Sequence, residues 1–446
     1  MVESTMGIEA SPENEANDEE NGQKRSASLW RTPGYPSWFT SDTASAIGAA
    51  MQGFGVSLVS YKISGSLIAA GWVPTLTSIV RQLANVLGGT IVDRHDRKNL
   101  VIVNCIIGVL LWGTTGILLL VGSLTFSVFL AIMLTSSLFT GCLGGATDAM
   151  LRSIIDSREY PKARSVNEGR DATITMIGNP VGGMLYLFGA WVPFIVSAIL
   201  YMIAGISASQ IRISKKLTMK STYSPEGKHS GKEAIASFCT DFVDGWRFVL
   251  TSKIMLIFII TTALVNFGMN GAQYSIELSL VGRGINPVLL GLVGPATCIG
   301  SLTGSLFSGH YGDRMPAGLC ICATGIISTV AYIPLCFTDS YHAIVLCSII
   351  IGLPFPLYNA MVMGFVFSKT PDELQGRVKS VMSVGVQLLS MFSSSAAGYA
   401  VTHLGFISTI RLFVIVLFVA AAILLASKRV RRIPVSSLWH KIDLHA

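Results

Sequence analysis

The chain has 446 residues, of which 51% are hydrophobic and only 13% are charged, with a formal net charge of +7. Soluble domains carry about 25% charged residues, so this composition excludes an ordinary soluble protein. Apolar runs such as 101–121 are long enough to cross a hydrocarbon core of about 30 Å as helices. The sequence therefore predicts a polytopic membrane protein.

The first 36 residues have a different composition from the rest of the chain. Seven acidic residues occur by Glu20, and no basic residue precedes Lys24. This pattern lacks the basic start and apolar run of a signal peptide, and it contains too few apolar residues to form a core. We expect residues 1–36 to form a disordered, acidic, cytoplasmic tail.

Twelve apolar runs follow, separated by polar breaks. The predicted spans are 38–61, 67–91, 99–121, 124–148, 166–188, 191–211, 254–277, 288–309, 317–337, 342–367, 378–401 and 407–427. A backbone in lipid must satisfy its own hydrogen bonds, and these runs lack the alternation of barrel strands. The predicted fold class is an all-α polytopic membrane protein with twelve transmembrane helices.

The longest interior break divides these spans into six and six. The predicted organisation after the tail is an N-terminal six-helix half (37–211), a cytoplasmic central loop (212–253), a C-terminal six-helix half (254–427) and a basic cytoplasmic tail (428–446). Within the loop, residues 241–250 have the pattern of a short amphipathic helix on the membrane surface.

The basic residues predict the orientation. With the N-terminus inside, all but four of the 32 Lys and Arg residues fall on the cytoplasmic side; Lys62, Arg283 and Arg411 fall outside, and Arg81 lies within a span. Because the bases are spread over every inner loop, they indicate topology and not a nucleic-acid surface. We expect a multi-pass protein of the inner or plasma membrane with both termini in the cytoplasm.

An internal repeat relates the two halves. Two patterns recur after 220 residues: Gly89-x-x-x-Asp93-Arg94 returns as Gly309-x-x-x-Asp313-Arg314, and Gly71 matches Gly291. Two parallel six-span halves are typical of transporters whose substrate binds near the midplane between the halves.

These features resemble a known family. The block Gly89-x-x-x-Asp93-Arg94-x-x-Arg97-Lys98 is similar to the signature loop of the major facilitator superfamily, and the twelve spans extend the resemblance over essentially the whole chain. The segments 61–66, 241–250 and 371–378 resemble the branch that contains macrolide and multidrug exporters, siderophore exporters and a lysophospholipid transporter. This resemblance implies alternating access, with spans 1 and 7 lining a cavity.

The charged block predicts a cytoplasmic gate. Gly89 would let neighbouring helices approach closely, and Asp93 would pair with Arg94, Arg97 or Arg152, or interact with a helix N-terminus. Alternatively, Arg97 and Lys98 are only topological anchors. The predicted gate residues are Gly89, Asp93, Arg94, Arg97, Lys98, Asp148, Arg152, Gly309, Asp313, Arg314, Gly376 and Arg377.

Acidic residues are scarce in the spans. Those within a span or at its edge are Asp42, Asp148, Glu168, Asp171 and Glu277, so a proton-coupled mechanism would use these carboxylates. Arg81, in span 2, is expected to face the cavity or to pair with Asp42 or Asp171, since a lone charge in lipid is costly.

Two polar stripes at helical spacing extend this prediction. Span 1 carries Asp42, Ser45, Ala49 and Gln52, and span 7 carries Asn266, Asn270, Gln273 and Glu277. We expect the stripes to face each other across a substrate and proton cavity, with Tyr358 and Asn359 of span 10 also reaching substrate. The alternative is that the asparagines hydrogen-bond neighbouring helices.

Span 5 contains a predicted bend, formed by Gly178, Asn179, Pro180, Gly182 and Gly183. It resembles the proline and glycine motif of antiporters, although Asn179 replaces the usual glycine before the proline. The motif favours export. The alternative is an ordinary kinked and closely packed helix.

The predicted function is proton-coupled efflux of an amphipathic small molecule, drug-like, macrolide-like or siderophore-like, by a secondary transporter. An uptake permease or lysolipid flippase remains an alternative, as does a non-transporting receptor or scaffold. An enzyme is disfavoured, because no nucleophile with a base or metal cluster is apparent, and no phosphate-binding loop supports ATP drive. The expected partners are substrate, protons and lipid, without nucleic acid, cofactor or metal, and the expected state is a monomer driven by the proton gradient.

Overall fold

The computed structural model describes residues 29–156, 159–211, 246–247, 249–371 and 374–441. Within these ranges the chain is almost entirely helical and contains no β-strand. Residues 1–28 of the predicted acidic tail and most of the central loop lie outside the described residues. The expectation of disorder is wrong for residues 29–36, which form a helical turn (Leu29–Arg31) and the start of the first long helix, with Leu29 and Tyr35 buried. Of the predicted amphipathic helix at 241–250, the described residues 246, 247, 249 and 250 are helical.

The N-terminal half contains seven helices that make six crossings, because α5 continues α4. They are α1 (Tyr35–Ser64), α2 (Leu67–Arg94), α3 (Arg97–Val121), α4 (Phe126–Leu143), α5 (Gly145–Ile154), α6 (Tyr160–Phe188) and α7 (Val192–Ser209). The helices α1 and α6 begin several residues before the predicted spans, because Pro36 and Pro161 occupy the first turn, where proline suits the helix geometry.

The C-terminal half also contains seven helices and six crossings. They are α8 (Lys253–Gly282), α9 (Pro287–Tyr311), α10 (Ala317–Ala331), α11 (Tyr341–Gly352), α12 (Phe355–Lys369), α13 (Gln375–Ser390) and α14 (Ser393–Ala426). The chain turns within α14 at Gly405, whose φ of +75° is a conformation that favours glycine. Residues 393–404 therefore complete the eleventh crossing, and 406–426 form the twelfth.

The helix lengths agree with the predicted membrane topology. Eight helical stretches in the described ranges are long and apolar enough to cross a membrane, and one of them, Arg377–Ala426, has 50 residues and crosses twice. The helices α1, α2 and α6 are equally long but more polar, and they supply the remaining crossings. The predicted all-α fold of twelve transmembrane helices in two six-helix halves is confirmed.

The charged loop between α2 and α3 has a local structural explanation. Asp96 is the N-cap of α3, and its carboxylate accepts hydrogen bonds from the backbone N–H groups of Lys98 at 2.8 Å and Asn99 at 3.3 Å. These bonds satisfy two backbone N–H groups at the start of α3. They stabilise the two-residue turn in which the chain reverses direction between α2 and α3.

The two halves make close contacts far from that loop. We call the helix ends around 94–98, 152–164 and 369–377 the basic end, and the other side the opposite end. Near the opposite end, a Cβ atom on Gly71 would lie 2.5 Å from the Ser394 carbonyl oxygen, and one on Gly291 would lie 2.6 Å from the Asn179 carbonyl oxygen. The repeat-related glycines thus occupy the α2–α14 and α9–α6 contacts, where only glycine leaves room for the partner backbone.

The basic C-terminal segment folds against the C-terminal half. The backbone N–H groups of Ala317 and Gly318, at the start of α10, donate to the carbonyl oxygens of Pro434 and Ile433. Trp439 packs against Phe365 of α12, with ring centroids 5.8 Å apart. Part of the predicted tail is therefore an ordered cap on the helix bundle.

Candidate functional site

A polar cavity of about 570 Å³ penetrates the N-terminal half. Helices α1, α3, α4, α5, α6 and α7 all contribute to its wall. Its polar and charged lining residues are Asp42, Ser45, Asn104, Thr140, Thr147, Asp148, Arg164, Asn167, Arg170, Asp171, Thr175 and Tyr201. It opens at the basic end, as the large exposure of Asp148 and Asp171 shows, each with 57% of its side chain exposed.

The centre of this cavity is an arginine held between two carboxylates. Arg170 Nη2 lies 2.6 Å from Asp42 Oδ2 and 2.7 Å from Asp171 Oδ1, and Nε donates to the same Asp171 oxygen at 3.0 Å. Its Nη1 donates to Thr43 at 3.3 Å, and the guanidinium lies 5.3 Å from the centre of the Phe39 ring. Arg170 is 90% buried, so these partners replace most of its hydration.

Close packing of α1 on α6 brings this cluster together. A Cβ atom on Gly178 would lie 2.7 Å from the Ala50 Cβ, and one on Gly182 would lie 3.1 Å from the Phe54 Cβ. Helix α6 continues through Pro180. These glycines let α6 lie against α1, which places Arg170 within reach of Asp42.

Arg170 is the functional candidate that sequence reasoning missed. The expected partner of Asp42 and Asp171 was Arg81, and that pairing is wrong, because Arg170 lies between the two acids. Arg81 is exposed and makes no ion pair or side-chain hydrogen bond with residues that the structure describes. Its charge acts on the Tyr274 phenol of α8, across the boundary between the halves. Arg170 lay within predicted span 5, so the rule applied to Arg81 would also have identified it.

Two further groups line the same cavity. Arg164 lies 3.4 Å from Asp148 and 3.1 Å from Glu168, and all three side chains are substantially exposed. Asn167 is only 4% exposed, and its Oδ1 has no hydrogen-bond partner among the described residues. A buried amide oxygen without a donor favours a ligand or water that donates a hydrogen bond.

A second cavity of about 150 Å³ lies between the halves, nearer the opposite end. It is enclosed by α1, α6, α8 and α9, and its polar lining residues are Asn179, Gln273 and Glu277. Glu277 lines this cavity together with Gly53 and Phe54 of α1. Of the predicted stripe on span 7, Gln273 and Glu277 therefore meet the N-terminal half in a closed chamber.

The rest of the predicted stripes are distributed differently. Asp42 and Ser45 line the large cavity, whereas the Gln52 Oε1 is buried without a described partner. Asn266 donates to the Thr262 carbonyl oxygen of its own helix at 2.9 Å, and Asn270 is exposed.

The predicted residues of span 10 lie apart from the large cavity. Asn266, Tyr358 and Asn359 line a pocket of about 20 Å³ within the C-terminal half. The Tyr358 hydroxyl is hydrogen-bonded to Thr262 at 2.9 Å.

The predicted helix-5 residues contribute to the contact between the halves. Beyond the α1 contacts of Gly178 and Gly182, a Cβ atom on Gly183 would lie 2.5 Å from the Pro287 carbonyl oxygen of α9. Asn179 lines the closed chamber. The segment is a packing surface on two sides of α6.

The predicted gate residues make contacts within the N-terminal half. Arg97 donates to the Ala149 carbonyl oxygen at 3.0 Å and to Ser153 of α5. Lys98 donates to the carbonyl oxygens of Ser209 at 2.6 Å and Ile211 at 3.0 Å, at the end of α7. These bonds join α3 to α5 and α7 at the basic end.

Arg152 also bonds within this half, where its Nε donates to the Tyr160 hydroxyl at 3.5 Å. Arg94 and Arg377 interact with other residues, and Arg314 is exposed. Asp93, Asp313 and Gly376 fall outside the residues whose surroundings the structure describes.

The close helix approach predicted at Gly89 is wrong by one residue. No atom lies within 4 Å of a Cβ placed on Gly89, whereas one on Gly88 would lie 2.6 Å from the Gly141 carbonyl oxygen. In the second copy Gly309 is also open, and a close backbone contact lies five residues earlier, where Gly304 packs against Leu353. Consecutive residues point about 100° apart on a helix, so the contact falls on one of them only.

The described ranges contain no group of three or more His, Cys, Asp or Glu side chains placed to hold a metal ion. The chemistry available at the site is therefore that of carboxylates, one buried arginine, amides and hydroxyls.

Comparisons with known proteins relate this architecture to transporters. The chain resembles the nucleoside transporter NupG (D323A mutant) at 15% identity and a TM-score of 0.62, over 87% of this chain and 99% of that one. It resembles a bacterial homologue of the iron transporter ferroportin in an inward-facing state at 12% identity and a TM-score of 0.64, over 87% and 98%.

A third similar structure is a bacterial homologue of the human lysosomal transporter Spinster, inward-facing and unoccupied. Its identity is 14% and its TM-score 0.62, over 88% of this chain and 96% of that one. At these identities the likeness shows the fold alone. A comparison with curated protein sequences finds no significant match.

The sequence itself also matches a family profile. The profile described as Major Facilitator Superfamily matches residues 39–394, which span both halves and the charged loop. Together with the two six-helix halves, this match shows that the chain belongs to the major facilitator superfamily of membrane transporters.

Proposed function

We propose that the protein is a secondary active transporter that exports an amphipathic small molecule in exchange for protons. The observation that carries this proposal is the asymmetry of access to Arg170 and its two carboxylates. Their cavity opens at the basic end, while backbone contacts at Gly71 and Gly291 close the opposite end. A polar site accessible from one side only is what alternating access requires.

The orientation follows from the distribution of positive charge. With the basic end in the cytoplasm, both termini are cytoplasmic, and the conformation described above faces inward. The proposed location is the inner or plasma membrane.

The ion cluster supplies a proposed coupling mechanism. Arg170 is stabilised by both Asp42 and Asp171. A proton or a cationic substrate at either acid would therefore remove part of the negative charge that balances the buried guanidinium. The cluster then rearranges. The proton or substrate shifts the equilibrium between the inward-facing and outward-facing conformations by the difference between its binding free energies to the two.

Glu277 connects this mechanism to the opposite end. It lies in the cavity between the halves, against α1, so opening of that end would separate α8 from α1 and expose the carboxylate. Proton exchange at Glu277 is thereby tied to the conformational change.

Export, rather than uptake, is supported by the proline and glycine segment of α6 and by the resemblance to efflux and siderophore-export sequences. The proposed energy source is the proton gradient, without ATP or a bound cofactor, and the proposed unit is a monomer. Catalysis of a chemical reaction is not part of the proposal.

The proposal is tested with inverted membrane vesicles that contain the full-length protein and a fluorescent lipophilic cation as probe. An exporter should load the vesicles when a proton gradient is imposed, and a protonophore should stop the loading. The double variant Asp42→Asn, Asp171→Asn should lose coupled transport. The control is Asp339→Asn, which pairs with Arg283 at the opposite end and lies outside both cavities.

Loading that persists unchanged without the gradient, or in the double variant, would contradict proton coupling. A scaffold would be supported instead by two results together: the intact chain shows no detectable transport, and deletion of residues 1–34 abolishes the function that the protein has in its host.

A further inference from the structure

A groove of about 290 Å³ lies on the outside of the N-terminal half, between α3 and α7. Both helices belong to the membrane-crossing set, so the groove faces hydrocarbon. Its lining is almost entirely apolar and includes Ile102, Ile106, Val109 and Leu110 of α3 and Met202 and Ile206 of α7. It follows α3 from residue 102 to 110, a length of about 12 Å at the rise of an α-helix.

One residue separates this groove from the polar cavity. Tyr201 lines both of them. Its ring occupies space left by two glycines: a Cβ atom on Gly108 would lie 2.5 Å from the ring Cδ1, and one on Gly48 would lie 3.2 Å from Cε2. Its hydroxyl makes no hydrogen bond with the part of the chain that the structure describes. Rotation of this one side chain would join the groove to the cavity.

The charge of the cavity indicates which head group would fit. Its charged lining residues are three acids, Asp42, Asp148 and Asp171, and two bases, Arg164 and Arg170, so its net charge is −1. The unpartnered Asn167 oxygen adds a buried acceptor. The negative net charge favours a positively charged head, ammonium or quaternary ammonium, over an anionic one, and the Asn167 oxygen would add a hydrogen bond to a head that carries a donor.

We propose that the cavity and the groove form one bipartite site for a single-chain amphiphile. The positively charged head lies beside Asp42 and Asp171, and the hydrocarbon chain passes Tyr201 into the groove between α3 and α7. This inference rests on the proposed function, since it names the substrate class. The chain remains in apolar surroundings, as it would in lipid, so the head supplies most of the affinity and the groove selects the shape.

The site is tested with purified full-length protein in lipid nanodiscs and a dodecyltrimethylammonium probe that carries a diazirine at the chain end. After illumination, mass spectrometry should locate the label on residues 102–110 and 201–206. Excess dodecyltrimethylammonium should remove the label. Dodecyl phosphate should compete much less.

A groove-filling variant provides the second measurement. Ile106→Trp should weaken binding of dodecyltrimethylammonium on the order of tenfold, because overfilling a packed apolar site excludes its occupant. Tetramethylammonium binding should not change. The matched control is Ile415→Trp on α14, since Ile106 and Ile415 are 53% and 58% exposed in apolar surroundings. Thermal unfolding identifies any variant that is misfolded.

Label spread evenly over all lipid-facing helices, or equal effects of Ile106→Trp and Ile415→Trp, would overturn the bipartite site. Photolabelling needs neither transport nor a proton gradient. Selective label without gradient-driven loading would therefore leave this site standing and remove the proposed function, and the reverse result would remove only the site.

Discussion

The two halves have the same helix arrangement but different chemistry. In the N-terminal half, a cavity of about 570 Å³ contains five charged side chains. In the C-terminal half, the pocket at Tyr358 measures about 20 Å³, and its described lining residues are all uncharged. The repeat therefore preserves the contact glycines, Gly71 and Gly291, while the charges differ. The comparison places the large charged cavity in the N-terminal half, whereas the C-terminal half contributes Glu277 to the contact between the halves.

The largest expected difference is between the glycines at helix contacts, Gly71 and Gly291, and the glycines of the repeated charged motif, Gly89 and Gly309. Gly71→Ala and Gly291→Ala should abolish transport and destabilise the protein by about 1–3 kcal/mol, because each Cβ would overlap a partner carbonyl oxygen. Gly89→Ala and Gly309→Ala should instead stabilise it by up to about 1 kcal/mol through helix propensity. Thermal unfolding in detergent measures both. The same sign for both pairs would contradict the assigned contacts.

The next prediction compares Arg170, which lines the cavity, with Arg81, which does not. Arg170→Gln leaves Asp42 without its partner, so it should destabilise the protein by roughly 3 kcal/mol and reduce transport at least tenfold. Arg81→Gln removes no described ion pair and should change stability by no more than about 0.5 kcal/mol. Arg170→Lys should restore only part of the loss, because lysine cannot reproduce the forked geometry. An Arg81→Gln variant as unstable as Arg170→Gln would show that the cluster is incomplete.

Glu277 is the charged residue that the C-terminal half contributes to the contact. Glu277→Gln keeps the shape and the polarity of the side chain in this cavity, so the variant should fold and exchange substrate between equal pools. The variant should no longer accumulate substrate against its concentration gradient, because the amide does not exchange a proton. A pH-sensitive dye inside proteoliposomes reports the proton movement. The control Gln273→Ala should retain proton movement.

A smaller difference is expected between the two copies of the charged motif. The second copy keeps Asp313-Arg314 but lacks the Arg-Lys pair that follows Asp93-Arg94. Asp93→Asn should therefore reduce the transport rate more than Asp313→Asn, by several-fold for a coupling of about 1 kcal/mol. Initial rates in inverted vesicles measure the ratio. Equal rates would argue against a stronger gate in the N-terminal half.

The smallest expected effect concerns Lys98. Lys98→Gln removes the positive charge beside the carbonyl oxygens at the C-terminal end of α7 and should cost about 0.3–1 kcal/mol. Added salt should reduce the difference between the variant and the parent, since the charge is exposed. Thermal unfolding at two salt concentrations measures this. A larger loss would give Lys98 a role beyond joining helix ends.

The sequence predicted the fold well because the bilayer imposes length and apolarity on each crossing. Span ends at Tyr35 and Tyr160 were less accurate, since a proline in the first turn extends a helix into polar residues. The site was predicted in part. Asp42 and Asp171 followed from the scarcity of acids, but their pairing with Arg170 depends on how α1 and α6 rotate against each other, which periodicity does not determine.

The same limit explains Gly88 and Gly89. A glycine motif indicates that a close approach occurs, but adjacent positions differ by about 100° around the axis. The repeat offset was more informative for Gly71 and Gly291, because two equivalent positions were constrained together. Glu277 was identified by spacing, whereas its enclosure by the other half follows only from the tertiary structure.

The closure at Gly71 and Gly291 is formed by backbone atoms and, beside Gly71, by the hydroxyls of Thr75 and Ser394, none of which carries a titratable charge. Its strength should therefore be almost independent of pH and ionic strength, unlike that of a gate built from ion pairs. An effect of proton concentration on the rate of opening at that end is then expected to originate in titratable side chains, such as Glu277 and the Arg170 cluster. The atoms that close the opposite end of this transporter are therefore different from the groups that respond to protons. Substitutions in the cavity can alter the response to protons without weakening the closure.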